Sequence, residues 1–143
     1  MEKVHLKLDH VASHLAKSQG VSNVLRGVAH NARSGRCYIS SDLLSKHRSS
    51  HQDFMKYRSK KEVFDVSYDL ATIANDHLTI AKNLLKDSQV KPFLPIFLPI
   101  ILVEMYLKKL EDCNFDIFHR TLYQRDGILP LKLWFKSLKM KLV

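Results

Sequence analysis

Very little in this chain breaks a helix or ties a loop. It has 4 Gly and 4 Pro in 143 residues, too few for a turn-rich all-β domain. It has 2 Cys, Cys37 and Cys113, and no CxxC, which excludes a disulfide-dense scaffold and agrees with a reducing compartment. Acids are scarce beside bases, with 14 Asp+Glu against 23 Lys+Arg and a formal charge of +9. No run reaches the ~20 apolar residues of a membrane span. The nearest, Pro92 to Val103, is short and carries Pro92, Pro95 and Pro99, so it reads as a buried core helix. The first residues are charged and lead into no apolar stretch, unlike a secretory signal. Glu2 and Asp9 are equally out of place in a mitochondrial transit peptide.

What is present is helical periodicity. One domain is expected at this length, and 45% hydrophobic content gives it a core. Leu8, Val11, Ala12, Leu15, Val21, Val24, Leu25 and Val28 recur at three- and four-residue steps, predicting one or two helices from about Asp9 to Ala32. Gly20 and Gly27 interrupt that run at about 1 kcal/mol each relative to Ala. They call for a break at Gly20 or a packing reason. A Ser-Gly loop follows to Ile39. Ser40 or Ser41, and then Ser49 or Ser50, can cap two short helices. Glu62 to Lys86 is the strongest helix, with a stripe of Val63, Val66, Leu70, Ile73, Ala74, His77, Leu78, Ala81 and Leu85. Another helix runs from the Pro95–Pro99 region to Glu111. After a polar connection through Arg120 and Gly127, Pro130 suits the first turn of a last helix to Lys141. The reading is all-α.

The segment Asn23-Val24-Leu25-Arg26-Gly27-Val28-Ala29-His30-Asn31-Ala32-Arg33-Ser34-Gly35-Arg36-Cys37-Tyr38-Ile39, leading to Asp42-Leu43-Leu44, resembles the second signature of the squalene/phytoene synthase family. There a helix carries N-[IV]-L-R-D-x-x-x-D-A, then R-x-G-R-x-Y-[LI], then D-L-L. Asn114-Phe115-Asp116-Ile117-Phe118 resembles the family's late D-F-D-[VI]-F segment, and Leu129-Pro130-Leu131 the start of its closing helix. The resemblance implies the C-terminal portion of an isoprenoid-synthase-type helical bundle over residues 1–143. The N-terminal half of that fold is expected to be absent from this chain. A half bundle leaves apolar faces without partners, so marginal stability or self-association is expected.

The resemblance also locates a departure. The family's enzymes hold Mg²⁺ between two DxxxD pairs on facing helices, because carboxylates four apart share one helical face. Here the two positions are Gly27 and Asn31, and neither is an anion. A branch of the same family that lacks intact aspartate motifs and acts in assembling mitochondrial respiratory complex I is similar at two further places. These are Ser13-His14-Leu15-Ala16-Lys17-Ser18-Gln19-Gly20, against S-H-x-x-K-[AS]-Q-G, and Phe115-Asp116-Ile117-Phe118-His119, against F-D-I-F-H. The resemblance implies a non-catalytic assembly factor on the matrix side of the inner membrane. Its partners would be complex I subunits or other assembly factors. The alternatives are a prenyl-diphosphate-using synthase and a peripheral lipid-binding module.

No catalytic residue, cofactor site or metal ligand is assigned. In the family, basic residues near the second signature face phosphate. Asn23, Arg26, Arg33 and Arg36 are therefore the candidates for a residual anion or lipid-headgroup pocket, against a plain solvated basic loop or ion pairs with Asp42. Two other DxxxD spacings, Asp65/Asp69 and Asp112/Asp116, read as chance rather than metal pairs. His10/His14, also four apart, reads as a structural or solvated pair, and His47/His51 as straddling a loop. The last helix carries Lys132, Lys136, Lys139 and Lys141 and no acid. It reads as a core-packing helix with a solvated lysine face, or as a helix lying on an anionic membrane. The positive charge is spread along the chain without a nucleic-acid-binding motif, so nucleic acid is not expected as a partner. For Gly27 the expectation is a kink or a helix that tolerates it, against a neighbouring side chain or partner backbone closing onto it.

Overall fold

The fold is seen in a computed structural model that describes residues 2–124 and 127–142, with the side chains at 2, 3, 136 and 139–142 outside the description. Six α-helices follow in order: α1 Glu2–Arg33, α2 Ser41–Lys46, α3 His51–Met55, α4 Lys61–Leu84, α5 Pro99–Asp112 and α6 Leu129–Leu142. Short 3-10 segments occupy Lys91–Phe97 and Arg120–Tyr123, and the described residues contain no strand.

α1 is one continuous helix, so the expected choice at Gly20 resolves against a break. A Cβ built on Gly20 would meet nothing within 4 Å. The helix pays its propensity cost there and is held by tertiary packing on its other side. Val11, Leu15, Ser18, Ser22, Leu25, Ala29 and Ala32 are buried at alternating steps of four and three, and Val28 is buried beside them. This helix packs on α4, which buries Val63, Val66, Ser67, Ala71, Ala74, Leu78 and Ala81. Cross-contacts fix the direction. Lys7 Nζ is 2.6 Å from Asp87, His14 lies 3.0 Å from His77, and the Ser18 hydroxyl donates to the Ala74 carbonyl at 2.6 Å. Rising numbers on α1 meet falling numbers on α4, so the pair is antiparallel.

Alanine and serine dominate this seam and let the two backbones come close. Ser18 and Ser67 each donate their hydroxyl to a carbonyl, Ser67 to Val63 of its own helix at 2.8 Å. Ser22 is buried and its hydroxyl has no hydrogen-bond partner among the described residues. The α4 stripe departs from expectation at its edges. Ser67 and Ala71 are buried although the stripe omitted them, while Ile73 is exposed. The reason is that close packing selects small residues at the centre of the contact and leaves larger ones at its margin.

Both short helices carry the expected serine caps. Leu43 N–H donates to Ser40 Oγ at 3.3 Å. Ser50 and Asp53 form a capping box. Asp53 is buried and accepts from Ser50 N–H at 2.9 Å, while Arg58 and Lys60 each lie 3.0 Å from its carboxylate. Burial pushes this carboxyl up, but Lys60 and the Ser50 hydroxyl and amide outweigh that and hold it well below the usual range.

The run Pro92 to Val103 is not a single buried helix. It is divided between the 3-10 segment and α5, with Pro95 inside the former and Pro99 opening the latter. Proline removes the donors a continuous helix would need. Phe97, Ile100, Ile101 and Val103 are buried, but Phe93, Ile96, Leu98 and Leu102 are exposed. No helix among the described residues is long and apolar enough to cross a membrane. Pro130 does fall in the first turn of α6.

Candidate functional site

The C-terminal half of α1 presents Asn23, Arg26, His30 and Arg33 outward, while Leu25, Val28, Ala29 and Ala32 are buried. Gly27 and Asn31 lie between these two faces, one turn apart. The helix ends where Ser34 N–H and Arg36 N–H both donate to the Asn31 carbonyl, at 2.9 and 3.0 Å. Gly35 takes φ 65°, the left-handed geometry that glycine reaches without strain. The turn sends Arg36 away from the helix axis into the loop.

Three tyrosines approach this end of α1 from other elements. Tyr57, itself at φ 52°, donates its hydroxyl to the Ala29 carbonyl at 2.7 Å. Its ring lies 5.1 Å from that of Phe118. Tyr106 of α5 lies under Arg26, whose guanidinium carbon is 5.8 Å from the ring centroid, a cation–π contact. Burial raises the Tyr106 hydroxyl above its ordinary range and nearby Tyr123 adds to this, with Arg26 opposing. Tyr123 donates its hydroxyl to the Ile117 carbonyl. Its own ionisation is pushed up to about 12 by burial, then by Tyr57 and Asp116, against Arg33. Tyr106 and Tyr123 are neutral hydroxyls at physiological pH. Arg26 and Arg33 thus sit against an aromatic, polar-tipped wall.

The four candidate pocket residues are not gathered equally. Arg26 and Arg33 share the tyrosine wall, whereas Asn23 is one turn back and Arg36 is in the loop; all four are exposed. Among the described residues none of the three arginines forms an ion pair with a carboxylate, Asp42 included. At Gly27 the first atom a Cβ would meet is the Asn31 amide nitrogen, at 3.0 Å, and no atom of another element lies within 4 Å. Among the described residues no backbone of another element closes onto this place. The helix tolerates the glycine, and the amide one turn on leans across it.

This donor set does not fit Mg²⁺. Gly27 offers no ligand atom, Asn31 offers one neutral amide, and no group of three His, Cys, Asp or Glu converges among the described residues. Other acidic pairs are engaged structurally. Asp69 accepts from Lys46 at 2.6 Å and His47 at 2.7 Å, which lowers its carboxyl. Asp112 lies 3.3 Å from Lys108. Asp116 accepts from Phe118 N–H at 3.0 Å and from Ser59. It thereby anchors the turn in which Asn114 and Phe115 take φ 50° and 60°. His14 pairs with His77 rather than with His10, and His51 bonds the Ile39 carbonyl at 3.0 Å. Cys37 and Cys113 are both free thiols.

The tyrosine wall escaped the sequence reading. Tyr106 falls four residues before Leu110 and three after Val103, on the buried stripe of α5, which is the one signal that could have found it.

The profile of the squalene/phytoene synthase family matches residues 2–127. The chain belongs to that family. It is 38% identical over 132 residues to a Homo sapiens protein named NADH dehydrogenase (ubiquinone) complex I, assembly factor 6, which covers 92% of this chain and 39% of that protein. A Drosophila melanogaster homologue of the same name is 35% identical over 134 residues, covering 93% of this chain and 40% of its own length. A Dictyostelium discoideum homologue is 28% identical over 130 residues, 89% of this chain and 36% of that protein. The chain spans about two fifths of the length of the curated relatives it matches. No solved structure matches it.

Proposed function

We propose that this chain is a non-catalytic component of the machinery that assembles mitochondrial respiratory complex I, acting on the matrix side of the inner membrane. One observation carries the reading. In a chain similar to proteins named for complex I assembly, the helix that bears the family's second signature has Gly27 and Asn31 where the synthases carry aspartates. Catalysis of that type needs metal-held diphosphate as a leaving group, and this wall supplies no carboxylate to hold the metal. Its work would then be done through surfaces, with complex I subunits or other assembly factors as partners. The synthase alternative is disfavoured by the same two residues.

Two measurements test this. Tagged chain recovered from mitochondria should co-migrate with partly assembled complex I on native gels. The same purified chain, given Mg²⁺ and prenyl diphosphate, should release no diphosphate above buffer. Robust release, or a tagged chain found apart from every complex I intermediate, would overturn the proposal.

A second, subordinate reading is favoured by Arg26 and Arg33. Without carboxylate partners among the described residues and beside neutral tyrosine hydroxyls, they offer a metal-free site for a phosphate-bearing group, with Asn23 and Arg36 at its margins. Titration with inorganic phosphate should shift the Arg26 side-chain NMR signal in the wild type. An unmoved signal rejects the site.

A further inference from the structure

α6 is amphipathic, yet its apolar face is not in the core. Leu131, Trp134, Phe135 and Leu138 follow the spacing of one helical face, and each is exposed, Trp134 by 56% and Phe135 by 54%. The two rings contact each other edge to face at 4.9 Å. The expectation of a core-packing last helix therefore fails. α6 packs beside α5 and the 3-10 segment Lys91–Phe97, and that segment also exposes Phe93 and Ile96, the latter by 68%. The prolines explain why this segment cannot turn those residues inward, as a continuous helix would. Two elements in contact thus expose six large apolar side chains, and soluble surfaces seldom leave large apolar patches uncovered.

Charge points to what covers them. From Gly127 to the C-terminus the sequence has four lysines and no Asp or Glu. The side chains of Lys136, Lys139 and Lys141 lie outside the described residues, so their contribution is one of composition. An apolar helix face with exposed Trp and Phe, on a helix bearing cations alone, matches the boundary of a bilayer rich in anionic lipid: rings at headgroup depth, ammonium groups at phosphate. A protein partner would need a surface both apolar and acidic.

We propose that α6 and the Lys91–Phe97 segment form a single membrane-docking face that recognises anionic phospholipid, without any segment crossing the bilayer. This refines the membrane-side placement proposed above, but vesicle binding by the purified chain reads the face directly. Failure here would leave the assembly reading standing.

The experiment is flotation of the full 143-residue chain with phosphatidylcholine vesicles, with and without cardiolipin or phosphatidylglycerol. Binding should require either anionic lipid and weaken with added salt. Trp134→Ser with Phe135→Ser should lose roughly tenfold in partitioning, and Ile96→Ser roughly fivefold. Lys136→Gln with Lys139→Gln should lose roughly tenfold, on anionic vesicles only. Circular dichroism of these variants should match the wild type. Equal binding to uncharged vesicles, no binding at all, or variants that bind like the parent would each overturn the proposal. So would a dimer of the chain that the Trp134/Phe135 variant dissolves, which would assign the face to a second copy.

Discussion

α1 and α6 are both helices with an apolar stripe, and they make opposite use of it. α1 spends its stripe on α4, through a seam whose small residues let two backbones meet and whose Ser18 hydroxyl is bonded across the contact. α6 has larger and more apolar side chains on its stripe and leaves them exposed. Hydrophobicity alone therefore does not decide what is core. The partner's shape does: α4 presents Ser67, Ala71, Ala74 and Ala81 as a shallow face for α1 to enter, whereas the proline-bearing segment beside α6 presents more exposed apolar groups.

Substitutions should separate the two regions sharply. The largest effect belongs to the seam. Leu25 is fully buried, and Leu25→Ala should cost about 3 kcal/mol in urea unfolding. Trp134→Ser, a greater loss of apolar volume, should change stability by less than about 0.5 kcal/mol. A comparable loss from both would erase the distinction drawn between the helices.

Asp53→Ala comes next, at about 2 kcal/mol, since it removes the capping box of α3 and leaves Arg58 and Lys60 without their shared carboxylate. The folded-state carboxyl of Asp53 titrates below its unfolded value. Its contribution is thus complete above the ordinary carboxylate range and fades as pH falls through about 4 and lower. Acid titration of the Asp53→Asn protein should show a shallower loss there.

Smaller changes should run the other way. Ser22→Ala removes a buried hydroxyl with no partner among the described residues and should stabilise by up to about 1 kcal/mol. Gly20→Ala, with open space at its Cβ, should stabilise by about 0.5–1 kcal/mol. Gly27→Ala should gain less, because the Asn31 amide has to move aside. A loss at position 27 larger than about 1 kcal/mol would show a closer neighbour than the Asn31 side chain.

A pH effect belongs to the seam as well. Burial lowers His14 below its ordinary value, helped by His77 and then by Lys17 and His10. The unfolded chain binds the proton first, so stability should fall as pH drops below about 6.5, and His14→Gln should flatten that slope.

The helices and their caps were legible because periodicity and capping are local. Ser40, Ser50 and Pro130 stand where their chemistry placed them. The family signature was legible as residue identity at fixed spacing. What could not be read was tertiary. Ser67 and Ala71 look neutral until a helix lies against them, and Ile73 looks like core until the seam excludes it. Tyr57, Tyr106 and Tyr123 meet at the end of α1 from three separate stretches of chain, and no local pattern links them. The exposed face of α6 is illegible for the same reason, since amphipathicity shows that a helix has an apolar side and not what it faces.

Loss of the chain in the cells that make it tests the central claim most directly. Native gels of their mitochondrial membranes should show fully assembled complex I reduced, with the other respiratory complexes and the squalene and phytoene pools unchanged. Complex I at its normal level alongside a fall in either prenyl product would contradict the account.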